Sequence, residues 1–195
     1  MKILVTGGAG FVGSVLVPQL LKKNYKVCVV DNLMNDNGHA IVPFFKNHKF
    51  KFIKGDARDQ SLMNDLVPNF EFVIHLAAIV GFPACRKNPE LATAVNVGSC
   101  KLISSLLSKD QGTVYASTGS NYGIIENEIC TEKTPLNPIS LYGKTKTEAE
   151  EIFLFASEYK HKFRNNHMQY AITWFSMSLA FLIMSIVYLK KNKYE

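Results

Sequence analysis

Residues 2–13 read KILVTGGAGFVG, and this stretch decides the fold class. Residues 2–5 form a short apolar run that predicts a buried strand, and a glycine-rich turn follows from Gly7 to Gly13. From Phe11 to Lys23 the apolar residues recur at helical spacing. A strand that passes through a glycine turn into a helix is typical of the first unit of a parallel α/β sheet.

The rest of the chain repeats this alternation. Further strands are predicted at residues 27–30, 50–53, 72–77 and 113–116, and helices at residues 62–67, at 89–108 and from Pro138 onward. Short apolar strands that are buried on both faces indicate a parallel sheet covered by helices on both sides. Right-handed crossovers favour the strand order 3-2-1-4-5. The predicted fold is therefore an α/β, doubly wound, Rossmann-like sheet of five strands.

The glycine turn has the residues that a dinucleotide site requires. Gly7, Gly10 and Gly13 would allow a tight turn, a close approach to a pyrophosphate and close helix–strand packing. The following helix would direct free N–H groups at the phosphates. Asp31 ends the second strand, eighteen residues after Gly13. Its carboxylate could bind both ribose hydroxyls and would repel a 2′-phosphate, which predicts NAD as the cofactor. The alternative is a structural turn with a solvated aspartate.

A second pattern lies near the end of the predicted α/β region. Tyr142 and Lys146 are four residues apart in a predicted helix, so they share one of its faces. An ammonium close to a phenol lowers the pKa of the phenol and suits it to acid/base chemistry near neutral pH. The alternative is an ordinary pair of surface residues, because the pattern is common by chance.

Together these motifs resemble the extended short-chain dehydrogenase/reductase family, in its NAD-dependent epimerase/dehydratase branch, over residues 1–156. The motifs that carry the resemblance are GGAGFVG (7–13), DNL (31–33), GDARD (55–59), HLAA (75–78), Asn96-Val97, ASTGSNYG (116–123) and YGKTK (142–146). The resemblance implies cofactor contacts at Gly7, Gly10, Phe11, Val12, Gly13, Asp31, Asn32, Asp56, Ala57, Leu76, Ala77, Ala78, Asn96 and Lys146.

The resemblance also implies a chemistry, which is hydride transfer at a carbon of a nucleotide-activated sugar. Tyr142 would take the proton of a sugar hydroxyl, and Thr118, with Ser117 as its neighbour, would orient that hydroxyl. Lys146 would bind the nicotinamide ribose and, together with the cationic nicotinamide ring, lower the pKa of Tyr142. Members of the family often form homodimers, so a homodimer is a further expectation.

Charge and cysteine content exclude other classes. The net charge is +6, but residues 157–195 carry +4 of it beside an apolar run, which favours a membrane over nucleic acid as partner. The four cysteines, Cys28, Cys85, Cys100 and Cys130, are widely spaced and have no neighbouring ligand pattern. We expect buried, reduced thiols and neither a metal site nor a disulfide.

The chain changes character after residue 156. Residues 157–167 form a basic linker, residues 168–189 lack any charge, and residues 190–195 form a basic tail. Twenty-two uncharged residues make a helix of roughly 33 Å, enough for a hydrocarbon core of about 30 Å. The sequence thus predicts a C-terminal transmembrane helix that anchors a cytoplasmic domain.

The tail also resembles another family. Residues 165–175, NNHMQYAITWF, are similar to the last transmembrane segment of the surfeit-locus cytochrome oxidase assembly family. The sequence after residue 156 does not resemble the substrate domain of the epimerase/dehydratase family, so we expect the first 156 residues to be a truncated NAD-binding domain. The leading hypothesis is a nucleotide-sugar epimerase or dehydratase. The alternatives are a non-catalytic, membrane-tethered NAD-binding remnant or fusion fragment, and a membrane protein of cytochrome oxidase assembly.

Overall fold

The computed structural model describes residues 1–125 and 129–160. Its strands are β1 (Lys2–Thr6), β2 (Lys26–Asp31), β3 (Phe50–Lys54), β4 (Phe72–His75) and β5 (Gly112–Tyr115). Its helices are α1 (Phe11–Lys22), α2 (Gln60–Leu66), α3 (Phe82–Lys87), α4 (Pro89–Thr93), α5 (Ser99–Leu106) and α6 (Leu141–Lys160).

The five strands form one parallel sheet in the order β3-β2-β1-β4-β5, which confirms the predicted fold class and strand order. In the register, Val5 of β1 pairs with Val29 of β2 on one side and with Ile74 of β4 on the other. Because all strands run in the same direction, their carboxyl ends lie along a single edge of the sheet. The order reverses between β1 and β4, and ligands of such sheets bind outside the carboxyl ends at this point.

Alternate residues of the strands fill two separate cores, one on each face of the sheet. Leu4, Cys28 and Val73 face helices α2, α5 and α6, and Met63, Ile103 and Phe153 come from these helices. The other face carries Ile3, Val5, Val29 and Ile74, which pack on Val17 and Leu21 of α1. Burial on both faces is the reason why β1, β2 and β4 are almost continuously apolar, whereas the edge strand β3 alternates lysines with apolar residues.

Several of the predicted elements differ from the structure in their bounds. The helix expected at residues 89–108 is divided into α4 and α5 by a π-helical turn, Ala94–Gly98. The last helix begins at Leu141 and not at Pro138, and the fourth strand ends at His75, two residues before the predicted end. Helix α3 was not predicted, because its six residues are too few to show a helical period.

The cysteine prediction is right for three residues and wrong for the fourth. Cys28, Cys85 and Cys100 are buried, whereas Cys130 is exposed. Cys130 follows the segment 126–128, which is not among the described residues, and lies in a loop before α6. Loops lie at the surface because a buried loop would leave its backbone polar groups without partners.

The C-terminal predictions fall mostly outside the described residues. Helix α6 runs through residue 156, the predicted boundary of the first domain. The linker at 157–167 is described only to Lys160, and the predicted span at 168–189 and tail at 190–195 are not described. Within residues 1–125 and 129–160, no helix is long and apolar enough to cross a membrane.

Candidate functional site

The glycine turn between β1 and α1 contains the three predicted glycines. At two of them, Gly7 and Gly13, close contacts within the protein leave no room for a side chain. Gly7 has a φ of +71°, and a Cβ added there would lie 2.5 Å from the backbone nitrogen of Ala77. At Gly13 an added Cβ would collide with the Gly8 backbone. The tight turn and the close helix packing that were predicted for these residues are therefore present.

Gly10 differs from the other two, because the protein itself leaves space around it. Its φ of −72° suits any residue, and an added Cβ would meet only the carbonyl oxygen of Gly7, at 3.1 Å. No side chain caps the helix that begins at Phe11, so the N–H groups of its first turn are available to an anion. Phe11 and Val12 are exposed at the same place. The site fits a pyrophosphate group that approaches the backbone closely.

Asp31 connects the turn to the end of β2. Its Oδ2 accepts a hydrogen bond from the Ala9 backbone N–H at 3.0 Å, and its Oδ1 accepts one from Leu33 N–H at 2.9 Å. Each carboxylate oxygen can accept a second hydrogen bond, so both can still receive one from a ribose hydroxyl. The carboxylate is thus held beside the glycine turn, as the NAD prediction requires.

Asp56 follows β3 and is oriented by its neighbours. Arg58 donates from Nε at 3.0 Å and from a terminal nitrogen at 2.7 Å to the two carboxylate oxygens. These hydrogen bonds lower the pKa of Asp56. The amide of Asn32 lies 3.4 Å from Asp56 Oδ2, which brings two predicted cofactor contacts together. Ala57 is buried, so its side chain does not face an open site.

Residues 76–78 run past the glycine turn from the end of β4. Leu76 N–H donates to the Thr6 carbonyl at 3.0 Å, and the backbone of Ala77 lies close to Gly7. Leu76, Ala77 and Ala78 are all half-buried. The structure therefore places this predicted cofactor segment next to the turn.

Asn96 has an arrangement that the sequence analysis did not foresee. It lies in the π-helical turn and is 1% exposed. Its Oδ1 accepts from Ile79 N–H at 2.7 Å, and its Nδ2 donates to Ile79 O and to Thr145 Oγ1, both at 3.1 Å. All hydrogen-bonding groups of the amide are engaged within the protein. This geometry favours a role in holding the chain after β4 against α6 over a direct cofactor contact.

The predicted catalytic residues Thr118 and Tyr142 lie together. The Thr118 side chain favours the ionised form of the Tyr142 phenol and so acts to lower its pKa. Burial is the larger influence, however, and it raises the pKa of Tyr142 above its ordinary value. The Lys146 ammonium lies over another ring, that of Tyr115. Its expected effect on the pKa of Tyr142, together with a cationic nicotinamide ring, stays a prediction.

Lys146 is 4% exposed, and its Nζ lies 4.1 Å from the centre of the Tyr115 ring. Burial lowers the pKa of this lysine to about 8, although Cys100 and Glu150 act in the opposite direction. In the described part of the chain, no atom forms a hydrogen bond or an ion pair with Nζ. The ammonium is therefore available to a hydroxyl of a ligand.

Ser117 is engaged elsewhere. Its hydroxyl donates to the carboxylate of Glu150, and it accepts a hydrogen bond from Asn121 Nδ2 at 2.9 Å. Glu150 and Arg58 also belong to the site, and neither was predicted from the sequence. Glu150 carried a signal, because it lies four residues after Lys146 and thus on the same helix face. Within residues 1–125 and 129–160, no group of His, Cys, Asp or Glu side chains could hold a metal ion.

Comparisons with known proteins agree with this geometry. The family described as GDP-mannose 4,6 dehydratase matches residues 4–172. The UDP-glucose 4-epimerase of Lactobacillus helveticus is 35% identical over 162 residues, which are 81% of this chain and 48% of that protein. A putative UDP-glucose 4-epimerase of Methanocaldococcus jannaschii is 37% identical over 153 residues, which are 76% of this chain and 48% of that protein.

Solved structures show the same likeness. The UDP-glucuronic acid 4-epimerase of Bacillus cereus, in complex with UDP-glucuronic acid and NAD, superposes with a TM-score of 0.75 at 29% identity. The match covers 82% of this chain and 53% of that one. The dTDP-glucose 4,6-dehydratase of Streptomyces venezuelae, with NAD bound, gives a TM-score of 0.71 at 30% identity, over 78% of this chain and 50% of that one.

The matches also show how much of their length this chain and its relatives have in common. This chain spans about half the length of the relatives and solved structures that it matches. The resemblance of the tail to the cytochrome oxidase assembly family receives no support from them, and the family match extends past residue 156, the predicted domain boundary, to residue 172. With most of its length matched by the family, the chain belongs to the GDP-mannose 4,6-dehydratase family, a family of NAD-dependent epimerases and dehydratases.

Proposed function

We propose that the chain binds NAD and catalyses hydride transfer at a carbon of a nucleotide-activated sugar. The observation that carries this proposal is the position of the predicted site segments. One such segment lies at the carboxyl end of each strand: the glycine turn after β1, Asp31-Asn32 at the end of β2, Asp56 after β3, residues 76–78 after β4 and Ser117-Thr118 after β5. In a parallel sheet these ends share one edge, where ligands bind.

The cofactor would lie across the switch point of the sheet. Its pyrophosphate would approach Gly10 and the first turn of α1, and its adenosine ribose would bind Asp31. Lys146 would donate hydrogen bonds to the second ribose, because its buried ammonium has no other acceptor within the described residues. When bound, NAD supplies an acceptor for the hydride. These roles require no metal ion.

Tyr142 and Thr118 would bind the sugar hydroxyl, and Tyr142 would accept its proton. Burial raises the pKa of Tyr142, so at neutral pH the phenol carries its proton until another positive charge enters the site. Thr118 favours the ionised phenol and would share with it the hydroxyl of the sugar. The tyrosine would then accept the proton as the hydride leaves the same carbon.

The relatives suggest the substrate class. Several are 4-epimerases of UDP-glucose or UDP-arabinose, and one solved neighbour is a 4,6-dehydratase of dTDP-glucose. We therefore propose a sugar nucleotide as substrate and the fourth carbon of the sugar as the reacting position. Membrane anchoring, a cytoplasmic location and a homodimer stay predictions from the sequence.

The full chain, incubated with NAD and UDP-glucose, tests this function. We expect reduction of bound nicotinamide, seen by its absorbance, and formation of the 4-epimer or a 4-keto sugar, seen by NMR. Loss of the acid/base in Tyr142→Phe should slow turnover by about 10²-fold or more, with NAD affinity unchanged.

Tyr25→Phe is the matched control, because Tyr25 lies between α1 and β2 and outside the site. If NAD binds but neither UDP-glucose nor dTDP-glucose is oxidised, the catalytic proposal is wrong. The non-catalytic NAD-binding alternative would then be favoured.

A further inference from the structure

The turn that carries Thr118 is fastened to α6 by one carboxylate. Ser117 Oγ donates to Glu150 Oε2, and Asn121 Nδ2 donates to the same oxygen at 2.9 Å. Asn121 Nδ2 also lies 2.9 Å from Ser117 Oγ. Ser117, Asn121 and Glu150 therefore form a closed triangle, which we call the Glu150 clamp.

Two residues of the Glu150 clamp, Ser117 and Asn121, lie on either side of Thr118 in the chain and in the same turn. Ser117 precedes Thr118 directly, and Asn121 N–H donates to the Thr118 carbonyl at 3.3 Å. The Thr118 hydroxyl accepts a hydrogen bond from Ser120 N–H at 3.2 Å. Both ends of this short turn are thus held by a residue of α6, the helix that also carries Tyr142.

The orientation of Asn121 depends on Glu150. Asn121 is 2% exposed, and its Oδ1 has no hydrogen-bond partner among the described residues. A flipped amide would place Oδ1 against the carboxylate, which cannot donate a hydrogen bond when ionised. The buried amide is therefore fixed by its donation to Glu150 and Ser117. Without Glu150, its buried Nδ2 would lose a charged acceptor.

Helix periodicity connects the Glu150 clamp to the proposed acid/base. Tyr142, Lys146 and Glu150 recur at intervals of four residues in α6, so they lie along one face. Gly143 adds a contact, because a Cβ there would lie 2.7 Å from the Ser120 carbonyl oxygen. The first turn of α6 and the Thr118 turn are consequently in backbone contact.

We propose that Glu150 is a positioning residue, whose clamp holds the Thr118 hydroxyl against the Tyr142 phenol. This rests on the proposed function for its effect on turnover, but the clamp itself is a structural relationship. A misplacement of about 1 Å at a reacting group can cost about 10²-fold in rate, so the clamp would matter for catalysis.

The experiment uses the full chain with ¹³Cζ-labelled tyrosine, and Tyr142→Phe assigns the Tyr142 signal. Thr118→Val gives the position of that signal without the Thr118 hydroxyl. We expect Glu150→Ala to move the signal toward that position and Glu150→Gln, which retains an acceptor oxygen, to move it less. Glu148→Ala is the matched control, because Glu148 is an exposed glutamate of the same helix that pairs with Lys101.

Amide hydrogen exchange of Ser120, Asn121 and Tyr122 gives a second readout. We expect exchange to rise about tenfold or more in Glu150→Ala and to stay unchanged in Glu148→Ala. Amides of β1 and β4 serve as the internal reference for global unfolding. If the Tyr142 signal and these three amides in Glu150→Ala match those of the unsubstituted chain, the Glu150 clamp is refuted, whether or not the chain turns over.

Measurement of kcat distinguishes a positioning role of Glu150 from a role in folding alone. Where the chain is active, Glu150→Ala should lower kcat about tenfold, leave NAD affinity unchanged and have little further effect in a Thr118→Val background. An undiminished kcat in Glu150→Ala would contradict the positioning role. Absence of turnover in the unsubstituted chain would contradict the proposed function, and the tyrosine signal would then decide the inference on its own.

Discussion

The ammonium of Lys146 lies over the ring of Tyr115, with Nζ 4.1 Å from the ring centre. A cation above an aromatic face is attracted by the ring quadrupole, typically by about 0.5–2 kcal/mol. This attraction replaces only part of the hydration that a buried ammonium loses. The lysine is therefore kept at a cost in stability, which is the pattern expected of a residue retained for binding.

Substitution of this lysine should consequently stabilise the fold. Burial lowers the pKa of Lys146 to about 8, whereas an unfolded chain has the ordinary value of 10.5. We expect Lys146→Met to raise the free energy of unfolding by about 1 kcal/mol at pH 7, because the desolvation cost disappears while the ring contact is lost. Urea denaturation measures the change.

The difference in unfolding free energy between Lys146→Met and the unsubstituted chain should depend on pH, and this dependence serves as the control. Below pH 8, Lys146 is charged in both the folded and the unfolded chain, so the folded chain bears the full cost of burying the ammonium. Between pH 8 and 10.5 the unfolded chain binds more protons, so the stability contributed at this site rises with pH. The advantage of Lys146→Met should therefore shrink toward pH 10. A variant that is less stable than the unsubstituted chain at pH 7 would refute this account.

Gly10 and Gly13 should respond differently to alanine. At Gly13 the new Cβ would overlap the Gly8 backbone, so Gly13→Ala should lose about 1–3 kcal/mol of stability. At Gly10 it meets one atom at 3.1 Å, so Gly10→Ala should change stability by less than about 1 kcal/mol and mainly weaken NAD binding. Thermal unfolding and calorimetry of both variants test this contrast. Equal stability of the two would contradict it.

His75 should make the fold sensitive to acid. It is 0% exposed and bonded to Thr6 Oγ1 at 2.6 Å and to Ser99 Oγ at 3.0 Å. Since Ser99 donates to Val95 O, it accepts from the His75 ring, and a neutral imidazole satisfies both hydroxyls. Burial lowers the pKa of His75 to about 3 from 6.5, so stability should fall as the pH drops below 6.5.

His75→Gln is the test of that acid sensitivity. We expect the variant to be less stable at pH 7 by about 1–3 kcal/mol, because Thr6 and Ser99 lose well-placed partners. Its stability should depend less on pH between pH 4 and the unfolded histidine value of 6.5. If both proteins show the same slope of unfolding free energy against pH, another group causes the acid sensitivity.

Asp31 should control the choice between NAD and NADP. Asp31→Ala removes the acceptor beside the glycine turn and the negative charge that would repel a 2′-phosphate. We expect NAD affinity to fall about tenfold or more and the preference for NAD over NADP to shrink. Binding titrations with both dinucleotides measure this. An unchanged ratio of the two affinities would mean that the ribose lies elsewhere.

The sequence predicted the elements whose signals are local. Strand patterns, the glycine turn with Asp31 and the spacing of Tyr142 and Lys146 all depend on neighbours in the chain. The strand order also followed, because the handedness of crossovers leaves few topologies. The π-helical turn around Asn96 could not be predicted, because the Asn96 amide is held there by hydrogen bonds to Ile79 and Thr145, which are distant in the sequence.

Side-chain partnerships across the fold were predicted poorly. Ser117 was expected as the neighbour of Thr118 at the sugar hydroxyl, and its bond to Glu150, 33 residues away in sequence, was not predicted. Burial dominates the pKa of Tyr142, an influence that was not predicted, whereas the expected joint effect of Lys146 and the cationic nicotinamide ring stays a prediction. Both outcomes are decided by tertiary packing, which residue spacing does not encode. Glu150 itself could have been proposed from its position one helical turn after Lys146.

Calorimetry of NAD binding to the full chain decides whether this edge of the sheet is a dinucleotide site. We expect micromolar binding that is lost in Gly10→Val, whose side chain would fill the space left for the pyrophosphate, and in Asp31→Ala. Circular dichroism of the variants establishes that they are folded. Absence of NAD binding by the folded, unsubstituted chain, or equal affinity in Gly10→Val, would contradict the assignment of this edge of the sheet as a dinucleotide site.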